Sequence, residues 1–385
     1  MTHEERILEA LAGRFPDRTP VVPKLWVDSA SLIMGRDVLS TATDPRSAMR
    51  TVVEAAVACG LDGARLFHFP PRSVVHREGR AFELDSAGRE IGEIDMQGGL
   101  ATHLHDAADF DLRDPRRMAL YQFWTAEKPL LDSVRDVGSI AVPTGADLER
   151  MGWAALQREV MEEFKGRIAF LGDCGSGTLA FLVALRGMER ALFDLVEDPA
   201  LVHGAMEKGT RIAAARARFH ADLGVRVLRL NDSPANMSVI SPAHWKEYVF
   251  PHVRDFCAEI HAYKPAVRIY CHVCGNSLPV VEDLIRAGID CIGPMDPLGG
   301  AGPAAFRQKA GPGFPLMGGV NTLSFCGGTP DSVRREALDC IEQAGRHGAF
   351  LLGSGCALPR QSRRENIRAL REASEEYGRG PDRSA

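Results

Sequence analysis

These 385 residues lack several features, each of which would be enough to assign a chain to a particular class of protein. No run of about 18 apolar residues occurs, so the sequence predicts no transmembrane helix and no membrane partner. The N-terminus is charged and has no apolar signal core, which favours a cytoplasmic protein. No basic stripe stands out among 46 basic and 51 acidic residues, which argues against nucleic-acid binding.

Internal repeats, low-complexity tracts and disulfide-scaffold spacing are also missing. The nine cysteines are an odd number, and in a cytosolic chain they are expected to be free thiols or metal ligands. A composition of 45% hydrophobic and 25% charged residues is that of an ordinary globular protein, and this length buries a large core without disulfides. The polar tail, residues 379–385, is predicted to be flexible.

Short apolar runs typical of β-strands alternate with longer amphipathic segments. The predicted strands are 21–27, 64–69, 139–143, 168–171, 225–230, 267–273, 291–295, 315–320 and 349–352. The predicted helices are 48–59, 199–223, 242–263, 278–287 and 331–347. Repeated strand–helix units predict an α/β fold with a parallel sheet, and their number favours a closed (β/α)8 TIM barrel as one domain over 1–378. A doubly wound sheet is less favoured, because neither glycine-rich turn has the dinucleotide-binding pattern.

One segment interrupts this alternation. Residues 76–99 are predicted to form a β-hairpin with two glycine-containing turns. With its flanks it makes an insertion at about 72–112 over one barrel mouth, or a solvated decoration without a function. His103 and His105 follow the hairpin; they either gate the substrate or contact a partner, or they are exposed loop residues without a role.

His272 and Cys274 are the strongest local signal, at the end of a predicted strand. Alternate residues of a strand face the same side, so these two side chains point one way and Cys271 points the other. One imidazole and one thiolate suit Zn²⁺. A redox pair of Cys271 and Cys274 is disfavoured, because a strand places the two on opposite faces.

A third ligand must come from another strand, and Cys356 is the best candidate. It follows the last predicted strand, and in a closed barrel all strand carboxyl ends open onto one face, where active sites lie. Two thiolates and one imidazole leave one place in a tetrahedral site open, which is typical of catalytic zinc. A core histidine with two buried cysteines, or a structural zinc site, are the alternatives.

Four further side chains are candidates for substrate binding. Asp232 and Asn236 follow the fifth predicted strand, Asn321 follows the eighth, and Trp26 lies at the end of the first. Each is expected to face the barrel mouth, and Asp232 and Asn236 are also candidates for supporting a zinc ligand. Ordinary turn and cap geometry is the alternative for Asp232 and Asn321.

The motifs His-Val-Cys-Gly at 272–275 and Gly-Cys-Ala-Leu-Pro at 355–359 resemble the uroporphyrinogen decarboxylase superfamily. More narrowly, the chain resembles the zinc-dependent corrinoid methyltransferases of that superfamily. The resemblance covers nearly the whole chain, with supporting stretches at 185–199, 231–245 and 317–330. It implies a (β/α)8 barrel with zinc ligands at His272, Cys274 and Cys356.

The hairpin insertion is similar to that of members that demethylate methoxylated aromatic compounds. The resemblance therefore implies a methyltransferase that moves a methyl group from a small methoxylated, aromatic donor to the Co(I) corrinoid of a partner protein. The chain has no Asp-x-His-x-x-Gly motif for cobalamin, so the corrinoid is expected on a separate corrinoid-binding protein. Zinc would stabilise the departing oxygen.

Other functions stay open at this point. A methylcorrinoid:thiol methyltransferase, with coenzyme M or a similar acceptor, is the first alternative. A uroporphyrinogen-decarboxylase-like lyase is the second, disfavoured because residues 23–29 lack the arginine pair that grips substrate carboxylates in those enzymes. A cobalamin-independent methionine synthase and a metal- or corrinoid-sensing binding protein are further alternatives. The sequence leaves the identity of the donor and the oligomeric state, a homo-oligomer included, undetermined.

Overall fold

The structure is a computed structural model and describes residues 1–378, so the predicted flexible tail lies outside the described residues. Its strands are β1 Gly63–Leu66, β2 Ser73–Arg77, β3 Arg80–Leu84, β4 Glu90–Ile94, β5 Thr102–Leu104, β6 Trp124–Ala126, β7 Ala169–Asp173, β8 Val227–Asn231, β9 Arg268–His272, β10 Cys291–Met295, β11 Leu316–Val320 and β12 Phe350–Ser354.

The α-helices alternate with the strands of the second half of the chain. They are α1 His3–Leu11, α2 Val27–Ile33, α3 Val38–Thr43, α4 Pro45–Ala58, α5 Pro115–Ala119, α6 Gly145–Arg150, α7 Trp153–Glu163, α8 Leu179–Arg186, α9 Met188–Glu197, α10 Pro199–Asp222, α11 Pro242–His244, α12 Phe250–Tyr263, α13 Val281–Arg286, α14 Pro303–Ala310, α15 Ser324–Gly327, α16 Pro330–Cys340 and α17 Arg364–Gly378. Shorter 3-10 helices lie at Ala107–Asp109, Tyr121–Phe123, Val134–Ser139, Leu278–Val280 and Pro297–Gly299. No helix in the part of the chain that the structure describes is long and apolar enough to cross a bilayer.

Seven parallel strands form one curved sheet in the order β1-β7-β8-β9-β10-β11-β12. The extended segment at Val21 joins the two edges of this sheet. On one side it pairs in parallel with Leu352 of β12, and on the other the Asp62 amide donates to the Val21 carbonyl at 2.8 Å. This segment takes the eighth strand position of the barrel, and we call it the eighth segment. The predicted α/β class and (β/α)8 barrel are therefore confirmed.

Two of the predicted strands differ from the structure. The run 21–27 is shorter, because α2 already begins at Val27. The strand predicted at 139–143 is wrong: a 3-10 helix, Val134–Ser139, precedes an irregular segment that leads into α6. The eight positions around the barrel are filled by other segments, so this apolar run has no edge to pair with.

Alternation along the strands builds the barrel interior. Inward residues pack into one layer with α1, which closes the N-terminal end of the barrel; they are Val22, Ala169, Leu171, Val227, Tyr270, Cys291, Met317 and Leu351. At Gly63 of β1 a Cβ would lie 2.7 Å from the Leu171 side chain, which explains the glycine there. The outward faces pack beneath the helices.

A buried carboxylate holds the eighth segment of the barrel in place. Asp62 is fully buried and accepts hydrogen bonds from the Val21 amide at 2.8 Å, from Arg18 at 2.6 and 2.7 Å, from Arg6 at 3.0 Å and from His3 at 2.7 Å. Burial by itself would raise the pKa of Asp62, but the bonds from His3 and Arg18 outweigh it and hold the pKa well below its usual range.

The insertion is a second sheet of five strands in the order β2-β3-β4-β5-β6. It contains the predicted hairpin, since β2, β3 and β4 pair antiparallel, and it continues to Ala126. Phe123 connects it to the barrel, with its ring 5.3 Å from that of Phe69. His103 and His105 are exposed on this sheet, where His105 lies 3.1 Å from Glu90.

Candidate metal centre

Three side chains converge at the carboxyl end of the barrel. His272 is the last residue of β9, Cys274 follows two residues later, and Cys356 comes two residues after the end of β12. One ligand atom from each lies within 4.8 Å of the others, and Cys356 Sγ is 3.9 Å from His272 Nε2. Zn–S bonds of about 2.3 Å and Zn–N bonds of about 2.0 Å place tetrahedral ligand atoms roughly 3.5 Å apart. These three residues, hereafter the trio, therefore fit one metal ion.

Strand alternation has the predicted effect around β9. Cys271 packs in the core between sheet and helices, whereas Tyr270 and His272 face the barrel interior. Burial raises the pKa of the Cys271 thiol well above its usual value, and Asp232 acts in the same direction. Cys271 therefore stays a neutral core thiol and forms no pair with Cys274.

The protonation states of the trio suit a soft metal. The Cys274 thiol donates a hydrogen bond to the Cys356 sulfur, which lowers the pKa of Cys356 and raises that of Cys274. Burial and the nearby charges of Lys24, Arg229 and Arg65 lower the pKa of His272 well below its usual value. The imidazole is thus neutral at physiological pH and keeps a lone pair for a metal.

Glycines let the loops that carry the two cysteines approach each other. At Gly299 a Cβ would lie 2.3 Å from the backbone of Gly275, the residue after Cys274. Asp296 accepts a hydrogen bond from the Gly275 amide at 2.9 Å, and at Gly355 a Cβ would lie 2.8 Å from Pro297. The loops after β9, β10 and β12 are therefore locked together at the trio.

Cationic side chains line the barrel beneath the trio, and sequence reasoning missed them. Arg65 and Arg229 are buried on β1 and β8, and Arg216 of α10 reaches the same region. Asp173 pairs with Arg216 at 3.1 Å and also with Arg229. Charged residues inside otherwise apolar strands were the signal that would have indicated a polar barrel interior.

Lys24 lies on the eighth segment of the barrel, beside Cys356. It pairs in parallel with Ala357, and its carbonyl accepts a hydrogen bond from the Leu358 amide at 2.8 Å. Burial lowers the pKa of Lys24 to about 7, with Arg229 in the same direction, while Cys356 and Asp173 act against them. Lys24 was also not among the sequence candidates.

Asp232 and Asn236 serve the framework of the site. Asp232 is 1% exposed and accepts hydrogen bonds from Thr178 and from the Ala180 amide at 2.7 Å, at the start of α8. Burial raises the pKa of Asp232 to about 6. Asn236 donates to the Ser233 carbonyl at 2.8 Å, and its side chain packs against the loop that follows Cys274.

Asn321 and Trp26 have different surroundings. The Asn321 side chain accepts a hydrogen bond from the Leu323 amide at 2.9 Å, which is turn-cap geometry. Trp26 is partly buried against Phe67, Phe69 and Phe123, with ring centres 4.7, 5.0 and 6.3 Å away. We call these four rings the aromatic wall. The Lys24 ammonium lies 5.9 Å from the centre of the Trp26 ring.

A cavity of about 580 Å³ lies elsewhere on the barrel. His3, Ile168 and Val225 are among its lining residues, which places it at the N-terminal end, opposite the trio. Active sites of this fold occupy the carboxyl ends of the strands, so the trio and not this cavity marks the candidate site.

Comparison with known proteins decides the family. The sequence model described as uroporphyrinogen decarboxylase (URO-D) matches residues 125–377, more than half of the chain. The chain belongs to the uroporphyrinogen decarboxylase family. The superfamily predicted from the motifs at the trio is thereby confirmed.

Two of the similar curated proteins are methyltransferases. A methylated-thiol–coenzyme M methyltransferase of Methanosarcina mazei is 28% identical over 203 residues, 52% of each chain. A methylcobamide:CoM methyltransferase of Methanosarcina barkeri is 24% identical over 178 residues, 46% of this chain and 49% of that protein. The family member thus spans about half the length of these relatives, which fit the predicted corrinoid methyltransferase branch.

Decarboxylases are matched as well. The uroporphyrinogen decarboxylase of Pelodictyon phaeoclathratiforme is 25% identical over 242 residues, 59% of this chain and 65% of that enzyme. Among solved structures, a methyltransferase from Methanosarcina mazei superposes with a TM-score of 0.71 at 17% identity, covering 98% of this chain and 99% of that one. This likeness shows that the two chains share the fold.

Proposed function

We propose that this family member is a zinc-dependent methyltransferase that works with a separate corrinoid-binding protein. The convergence of His272, Cys274 and Cys356 at the carboxyl end of the barrel carries the proposal. Corrinoid and thiol methyltransferases among its relatives support it. The trio has the donor atoms of a zinc site, and three protein ligands leave the fourth position for a substrate.

The chain's own residues prepare this site. Two sulfur donors and one neutral imidazole would hold the ion, and the interlocked loops at Gly275 and Gly299 fix the Cys274 position. Bound zinc would supply Lewis acidity, which deprotonates a thiol near neutral pH or stabilises the oxygen that leaves an ether. The barrel mouth would bring substrate and corrinoid together in one orientation.

A thiol is the substrate that the relatives favour, with coenzyme M or a similar molecule as the methyl acceptor. The sulfur–carbon bond would form as the cobalt–carbon bond of the partner's methylcorrinoid breaks, with its electron pair left on cobalt. The thiol proton would leave to solvent, so the transfer is balanced. A metal ion held by the trio would need only one open coordination position, for the thiol sulfur, in this reaction.

A methoxylated aromatic donor is the second candidate. The aromatic wall supports it, because Trp26 presents a partly buried ring near Lys24, and Lys24 lies on the eighth segment of the barrel, next to Cys356. Aromatic rings in contact contribute about 0.5–1.5 kcal/mol beyond their burial. Trp26→Ala would then weaken binding of methoxyarenes about twofold to tenfold and leave binding of a small aliphatic thiol unchanged.

Two reactions measured on the same zinc-loaded protein would test the proposal. Demethylation of methylcobalamin by 2-mercaptoethanesulfonate follows the thiol reaction, and methylation of cob(I)alamin by a methoxyarene panel follows the ether reaction. Cys356→Ser should abolish the active one, whereas Cys326→Ser, a partly buried thiol outside the trio, should keep it. A Cys356→Ser protein that is as active as wild type, or a zinc-loaded wild type inactive in both assays, would contradict the proposal.

A further inference from the structure

The barrel beneath the trio carries more positive than negative charge. Three guanidinium groups, of Arg65, Arg216 and Arg229, are buried there, and Asp173 is the carboxylate that pairs with two of them. Within residues 1–378 Arg65 donates only to uncharged acceptors, among them the Tyr270 hydroxyl and the Pro23 carbonyl at 2.8 Å. Buried charges without a partner are costly, so this region favours an anion.

The terminal nitrogens of Arg216 and Arg229 are taken up by protein acceptors, whereas their Nε atoms are buried and have no partner among residues 1–378. Arg65, Arg216 and Arg229 are all engaged with protein acceptors. The acids near the site are engaged too: Asp28 lies 3.8 Å from Arg360, and Asp296 accepts from two backbone amides. A cation that has neither an ion pair nor a hydrogen bond is therefore better placed to select a substrate.

Lys24 is that group. Among residues 1–378 its ammonium makes no ion pair and no hydrogen bond; it lies 5.9 Å from the centre of the Trp26 ring, and the charges of Cys356 and Asp173 act on it from a longer distance. It lies beside Cys356 on the eighth segment of the barrel, so it can reach one end of a molecule whose other end occupies the trio. A flexible ammonium is a point charge that can donate hydrogen bonds to either carboxylate or sulfonate oxygens.

We propose that Lys24 selects the substrate by binding an anionic group, a carboxylate or a sulfonate, at the end remote from the reacting heteroatom. This inference rests on the proposed function, since it assumes that the heteroatom binds at the trio. It gives the substrate two fixed ends, which orients the bond to the methyl group. Small, monoanionic thiols or methoxyarenes are the expected class.

Calorimetric titrations of matched ligands test the role of Lys24. On zinc-loaded protein, 2-mercaptoethanesulfonate is compared with 2-mercaptoethanol, and on zinc-free protein, 3-methoxybenzoate with 3-methoxybenzyl alcohol. Wild type should bind at least one anionic ligand about 10- to 100-fold more tightly than its neutral counterpart, the factor given by a hydrogen bond to a charged group. The pair with the larger ratio tells sulfonate from carboxylate.

Three variants make the result specific to this side chain. Lys24→Met should reduce the ratio to less than about threefold, Lys24→Arg should restore most of it, and Lys165→Met, at an exposed residue outside the barrel, should leave it unchanged. Equal binding of charged and neutral ligands by wild type, or a preference that survives in Lys24→Met, would overturn the inference.

The zinc-free titrations separate this inference from the proposed function. If Lys24 serves only as the counter-charge of the Cys356 thiolate, Lys24→Met loses zinc while the preference of the zinc-free protein for the anion does not change. That result overturns the inference and leaves the methyltransferase proposal standing. Loss of zinc binding by wild type, with the zinc-free preference intact, overturns the methyltransferase proposal alone.

Discussion

Replacement of Asp173 by asparagine tests the charge balance of the barrel interior. Asp173 is 4% exposed and accepts hydrogen bonds from Arg216 at 3.1 Å and from Arg229. Burial by itself would raise the pKa of Asp173, but the two guanidinium groups outweigh it and lower the pKa. The carboxylate is therefore ionised at neutral pH, and an amide cannot replace its charge.

The size of the effect follows from this geometry. Removing one partner of a buried ion pair costs about 3–5 kcal/mol, because the remaining charge has no counter-charge. An unfolding entropy of about 2.1 cal/mol/K per residue gives roughly 0.8 kcal/mol/K for 385 residues. Asp173→Asn should thus lower Tm by about 4–6 °C.

Differential scanning calorimetry at pH 7 measures this shift. Asp222→Asn is the matched control, because Asp222 contacts the exposed Tyr263 at the surface and should change Tm by less than about 1 °C. A shift for Asp173→Asn no larger than that of the control would refute the reasoning. It would mean that the guanidinium groups of Arg216 and Arg229 are neutralised by something other than Asp173.

The remaining predictions concern the closure of the barrel and the shape of the site. Because His3 and Arg18 hold the pKa of Asp62 below its unfolded value, its stabilisation is complete above about pH 4 and declines as the pH falls further. The Tm difference between wild type and Asp62→Asn should therefore be larger at pH 7 than at pH 2.5, and an equal difference at both would contradict this sign. Gly299→Ala should displace the loop after Cys274 and weaken zinc binding at least tenfold in a chelator competition, while the unhindered Gly302→Ala should not.

The trio could be predicted from the sequence because strand geometry determines it. A period of two residues fixes the shared side of His272 and Cys274, and barrel closure places the residues after β12 at the same edge. Strand alternation does not predict which polar side chains near a strand end are held by local hydrogen bonds. Asp232 and Asn321 were predicted to face the mouth, and in the structure local amides and hydroxyls take up their acceptor atoms.

The charged interior escaped the sequence analysis for a related reason. Arg65 and Arg229 lie within apolar runs that predict strands, and the apolar signal alone does not show that these two charged side chains point into the barrel. The hairpin of the insertion was predictable from its turns. Its last strands, Thr102–Leu104 and Trp124–Ala126, have three residues each, which is too short for a periodic signal.

Zinc content per chain is the most direct test of the account, measured by mass spectrometry after mild chelator dialysis, with circular dichroism on each sample. Wild type and Cys326→Ser should keep about one zinc per chain. Cys356→Ser should lose most of it and stay folded, as expected for an open catalytic site. A wild type that stays folded and does not retain supplied zinc, or a Cys356→Ser protein that retains a full equivalent, would contradict the assignment of His272, Cys274 and Cys356 as the metal centre.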